Sequence, residues 1–95
     1  MDIAEIYTFT HIDAYLYFLF SDTRGIFYVG ISNDVNDRLS RHNSGQSLST
    51  KSGITWELMH TLEWENKSVA MILETKIKKR GIGRYLSDNN IFIGL

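Results

Sequence analysis

From Ala14 to Phe20 the chain is continuously apolar or aromatic. It then breaks at Ser21-Asp22-Thr23-Arg24-Gly25 and resumes from Ile26 to Ile31. An apolar run of this length bounded by turn residues predicts a strand buried on both faces. The polar break predicts a hairpin loop in which Gly25 takes positive φ. Folding the pair about Thr23 brings Tyr17 near Val29 and Tyr28, the neighbour depending on any bulge. Ser32-Asn33-Asp34 has the composition of a helix start, with capping side chains and an acid. Val35, Leu39 and His42 follow at i, i+4 and i+7 on one stripe flanked by Arg38, and Asn43-Ser44-Gly45 predicts the helix end. Residues 44–53 read as a polar loop. A third strand is predicted where Trp56, Leu58, His60, Leu62 and Trp64 alternate against Thr55, Glu57, Met59, Thr61 and Glu63. Asn66 or Ser68 then caps a helix whose core stripe is Ala70, Leu73 and Ile77. Gly81 and Gly83 break that helix, and Arg84 to Asn89 form one more turn or short helix. The order strand, strand, helix, strand, helix predicts an α/β (α+β) fold, a small three-stranded antiparallel sheet flanked by helices.

The 95 residues, 43% hydrophobic and 13% aromatic, have the composition of one soluble globular domain, residues 1–95, rather than of a disordered segment. The absence of cysteine excludes a disulfide framework and a thiolate metal site, and fits a reducing cytoplasm. No apolar run reaches the ~20 residues of a membrane span. A net charge of −1 argues against an indiscriminate nucleic-acid binder. The charges are segregated, however. Residues 1–23 hold Asp2, Glu5, Asp13 and Asp22 with no lysine or arginine, whereas Lys76, Lys78, Lys79, Arg80 and Arg84 form a basic stretch without an acid. That stretch is either a solvated helix face or a phosphate-docking surface.

Several side chains carry possible chemistry, and each also has a structural reading. Tyr17 and Tyr28 suit a half-buried strand; a phenol beside a phosphate can also orient water, and can act as base if a nearby cation lowers its pKa. Arg38 at the edge of an apolar stripe pairs either with Asp34 or with a phosphate, whose geometry its planar fork matches. His42, one turn on, is a core histidine or a proton relay. Glu74 interrupts the Ala70–Leu73–Ile77 face; it is either the ion-pair partner of Lys78 or a lone carboxylate of the kind that suits magnesium. Lys51 in the polar loop is a phosphate contact or plain surface.

Taken in order, Tyr15-Leu16-Tyr17, Tyr28-Val29-Gly30, Arg38, His42 and Glu74 resemble the motif set of the GIY-YIG nuclease family, from about Ala14 to about Leu86. Tyr15 stands where the first motif has glycine, and only Asn89 or Asn90 could match the C-terminal asparagine of many members. The resemblance implies a three-stranded sheet with helices packed on it and one divalent ion, Mg²⁺ (or Mn²⁺), held by Glu74. It implies catalytic roles for Tyr17, Tyr28, Arg38, His42 and Glu74, with Tyr17 favoured as the base. Arg38 to Gly45 is similar to the segment that small stand-alone members carry, which adds Arg41 and Asn43 to Lys51, Lys76, Lys79, Arg80 and Arg84 as nucleic-acid contacts. The expected activity is endonucleolytic hydrolysis of DNA. No separate recognition domain fits this length, so branched, nicked or single-stranded DNA, or a target supplied by a protein partner, is favoured. The alternatives are a non-catalytic nucleic-acid-binding module and a small interaction domain whose apolar tail Ile91-Phe92-Ile93 pairs with a partner or a second copy.

Overall fold

β1 (Ala14–Ser21) runs down the middle of an antiparallel sheet, between β2 (Ile26–Ser32) and β3 (Trp56–Trp64). The computed structural model describes residues 12–91; Asp2 and Glu5 of the acidic segment, and Phe92 and Ile93 of the tail, lie outside them. Ile91 packs against the core. Central position explains the composition of β1. Leu16, Phe18 and Leu19 are fully buried and Tyr17 is 1% exposed, so both faces are covered.

The β1–β2 hairpin pairs Tyr17 with Gly30 and Leu19 with Tyr28. Tyr17, Leu19, Tyr28 and Gly30 therefore share one face. Tyr17's direct neighbour, left open between Val29 and Tyr28 in the sequence, is Gly30, and Tyr28 lies on the diagonal. Gly25 closes the turn at φ 63°, with its N–H on the Ser21 carbonyl at 2.7 Å.

Each face has its own core. On one, α1 (Val35–Asn43) lays Val35 and Leu39 against Tyr17, Leu19 and Trp56. On the other, α2 (Lys67–Arg80) and α3 (Ile82–Asp88) pack Ala70, Ile77 and Leu86 against Ala14, Leu16, Phe18 and Val29. Caps fix the helix starts. Asp34 accepts from the Asp37 N–H at 3.0 Å, and Asn66, rather than Ser68, caps α2 by accepting from the Ser68 N–H at 2.7 Å. Gly81, at φ 99°, ends α2, and α3 begins directly after it, two residues earlier than the sequence pattern indicates.

The regular alternation expected in β3 does not hold. A register shift falls between the partners of Phe18 and Leu19, which pair with His60 and Leu58, so Met59 is the extra residue of a bulge. Trp56 consequently joins the α1-side core, while Leu62 and Trp64 join the α2-side core. The polar loop also contains structure, a 3₁₀ turn over Lys51–Gly53. No described helix is long and apolar enough to cross a membrane.

Candidate active site

The α1 face of the sheet meets the last turn of α1 at His42, which is only 4% exposed. Its Nε2 lies 3.0 Å from Tyr17 Oη and its Nδ1 lies 2.8 Å from Thr50 Oγ1. Thr50, itself buried, donates its hydroxyl to the Ser47 carbonyl at 3.4 Å. Only one direction of donation satisfies the whole chain. The Thr50 hydroxyl gives its proton to Ser47 and accepts from Nδ1–H, leaving Nε2 to accept from the Tyr17 O–H. Burial, and then the Arg38 charge, hold the imidazole below its usual pKa of 6.5, in keeping with a neutral ring in this role.

Tyr17 reaches His42 because β2 offers no side chain opposite it. A Cβ at Gly30 would sit 2.5 Å from both Cζ and Oη of Tyr17. The second motif's glycine is thus the gap that the first motif's phenol fills. Tyr28 stands next to it, ring centroids 6.1 Å apart, and sets its edge to His42 at 4.8 Å. Tyr28 is half-buried where Tyr17 is sealed, so Tyr28 is the phenol that solvent reaches. Burial, then Tyr28, raise the Tyr17 pKa well above the ordinary phenol value; Arg38 opposes the rise and Glu74 adds to it. The condition under which the phenol could act as base, a pKa lowered by a nearby cation, is therefore not met at Tyr17. Arg38 acts on Tyr17, but desolvation outweighs it.

Arg38 is exposed. The Asp34 carboxylate caps α1, and no ion pair joins it to Arg38 among the described residues. Arg38 borders two hollows. One, of about 260 Å³, is lined with Tyr28, Arg41, His42, Gln46 and Ser47. The other, of about 250 Å³, is lined with Asp13, Ser32, Asn33 and Lys67.

Glu74 arrives differently from the other four. Its helix packs on the opposite face of the sheet, yet its charge still acts on the Tyr17 phenol. Glu74 lies off the Ala70–Ile77 stripe on the flank it shares with Lys67 and Lys78, at i−7 and i+4. Lys67 meets Ile31 and Arg38 at the end of β2, so this flank faces the β2 edge. Tyr17, Tyr28 and His42 gather on the α1 face with Arg38 at its rim, whereas Glu74 sits on a helix of the opposite face and is linked to them only through its charge acting on Tyr17. Among the described residues no three His, Cys, Asp or Glu side chains cluster as a metal site. A hydrated Mg²⁺ needs only one or two protein carboxylates. Glu74 fits that demand, with a side chain 22% exposed and its Lys78 partner at a loose 3.7 Å.

The expected nucleic-acid contacts divide. Arg41 lines the first hollow while paired with Asp37 at 2.9 Å. Lys51 is exposed beyond it. Asn43 is spent on structure: its amide donates to the Trp56 carbonyl at 3.0 Å and accepts from the Trp56 N–H at 2.6 Å, tying α1 to the start of β3. Lys76, Lys79 and Arg80 lie on helical positions turned away from the Glu74 flank, and Arg80 is held by Asp88 at 2.8 Å. Arg84 is exposed on α3 beside the same aspartate. Sequence reasoning missed Thr50 and Lys67. Lys67 carried a signal, its i, i+7 spacing to Glu74; Thr50 in an aperiodic loop carried none.

A family model described as the GIY-YIG catalytic domain matches residues 13–81. No curated protein and no solved structure matches the chain.

Proposed function

This chain belongs to the GIY-YIG family, a family of nucleases, and on that premise we propose that it is a divalent-metal-dependent endonuclease hydrolysing DNA phosphodiesters. The observation that carries the reading is the line Tyr28, Tyr17, His42, Thr50, running from solvent into the core beside Arg38. A phosphate seated against Arg38 meets a fixed positive charge that neutralises the charge developing in the transition state. Tyr28 is the phenol that faces the attacking water. The proton released passes through the paired phenols to His42 Nε2, so a free phenolate need not accumulate on Tyr17, where burial disfavours it. His42, not Tyr17, is therefore the final proton acceptor, and Thr50 fixes its tautomer. Glu74 would hold Mg²⁺ or Mn²⁺, which supplies Lewis-acid polarisation of the phosphoryl group when bound.

Lys67, Arg38 and Arg41 are the cations that line the two hollows. They make a short strip, not a long duplex channel, which supports a substrate recognised by local structure: nicked, branched or single-stranded DNA. A cytoplasmic setting is in keeping with the cysteine-free composition. The test is cleavage of nicked, branched and plain duplex DNA with and without Mg²⁺ or Mn²⁺. Metal-dependent cleavage, fastest on the nicked or branched forms, is expected. Binding without cleavage in any metal would make the protein a non-catalytic nucleic-acid-binding module.

A further inference from the structure

Tyr15 occupies the place of the first motif's glycine and points to the α1 face, two residues from Tyr17 along β1. There it helps to line a hollow of about 350 Å³ at the start of α1, with Asn33, Asp34, Asn36, Leu58 and Thr61. That volume lies at the lower end of the range of about 300–1,000 Å³ for small-molecule sites. The lining is an aromatic ring, an apolar surface from Leu58, 38% exposed, and polar groups of which only Asp34 is employed elsewhere, as the α1 cap. Among the described residues the side chains of Tyr15, Asn33, Asn36 and Thr61 carry no hydrogen bond. The β3 bulge matters here, because it turns Leu58 to the same face as Thr61.

Charge decides what this hollow takes. It holds the Asp34 carboxylate and no cation, so a phosphate is repelled. Asn33 also lines the neighbouring hollow, where Arg38 and Lys67 supply positive charge. A neutral, flat, hydrogen-bonding group would thus sit one step from a phosphate. We propose that the hollow of Tyr15, Asn33, Asn36, Leu58 and Thr61 binds an unpaired nucleobase of the substrate strand whose phosphate lies against Arg38 and Lys67. The base stacks on the Tyr15 ring, and the Asn33 and Asn36 amides meet its hydrogen-bonding edge. A base paired in duplex cannot enter, so this site selects DNA with a single-stranded end, flap or gap. The inference rests on the nucleic-acid reading of the site but not on catalysis.

The test is binding of oligonucleotides in EDTA, where no cleavage occurs, with 2-aminopurine placed in the unpaired strand. The full chain should bind a flap or overhang more tightly than blunt duplex and quench the probe. Tyr15→Ala should lose on the order of tenfold for the unpaired substrate, as expected for one stacked base, with duplex affinity unchanged. Tyr15→Phe should retain the quench. Asn36→Ala, an exposed change that leaves the core intact, should weaken the preference in the same direction. Equal losses on duplex and flap, or none, would overturn the nucleobase site while leaving the nuclease reading in place. Wild-type protein that binds neither form would overturn both.

Discussion

His42 has both ring nitrogens in hydrogen bonds, and each bond depends on the ring being neutral or newly protonated in a definite way. Burial and Arg38 depress its pKa. Between that depressed value and the ordinary one of about 6.5, the unfolded chain binds a proton that the fold refuses. The stability from neutral His42 is therefore complete above about pH 6.5 and is lost as pH falls through that range. Urea midpoints at about pH 7.5 and about pH 5.5 should show a larger drop for wild type than for His42→Gln. Cleavage should hold across that window, where folded His42 stays neutral, and fall only below it, through the depressed pKa, since imidazolium cannot accept a proton. A His42→Gln drop as large as that of wild type would mean other groups carry the acid sensitivity. Tyr17 was legible in the sequence as a residue of a strand buried on both faces, but its contact with His42 was not. Its surroundings come from β3 and α1, and no local pattern displays them.

The hairpin of β1 and β2 works as a fitted pair, with the Tyr17 ring lying across Gly30. Gly30→Ala would put a methyl carbon 2.5 Å from the phenol. Relief requires moving a ring packed among Leu19, Val35 and Trp56. The expected cost is about 1–3 kcal/mol in a urea melt, with displacement of Tyr17 from His42 and a loss of cleavage beyond the stability effect. An unchanged melt with full activity would show that the close approach is dispensable. The sequence made this element readable because apolar runs, turn residues and helix caps are local signals. The β3 bulge was not readable. Its residues alternate regularly, and only pairing with β1 reveals that Met59 is extra. The place of Glu74 was not readable: in the sequence it interrupts the face of Ala70, Leu73 and Ile77, whereas it lies beside that stripe, on a helix packed on the face away from Tyr17.

For the whole molecule, charge placement outweighs the net charge of −1. Read along the chain, Lys76 to Arg84 is the basic cluster. Folded, most of it turns from the site, and Lys67 takes its place beside Arg38. Lys67→Glu should weaken DNA binding and reduce the salt slope by about 1, while Lys79→Glu should do little of either. Equal effects would return the docking surface to the outer face of α2. The proposed chemistry requires that Glu74 serve a metal rather than Lys78. Single-turnover cleavage and equilibrium binding of one nicked substrate, measured across an Mg²⁺ titration for wild type and Glu74→Ala, test it directly. Glu74→Ala should stay folded and bind DNA almost as wild type does, yet cleave at no metal concentration. Glu74→Ala that cleaves at the wild-type rate, or that unfolds, would contradict it and leave Glu74 a structural ion-pair residue.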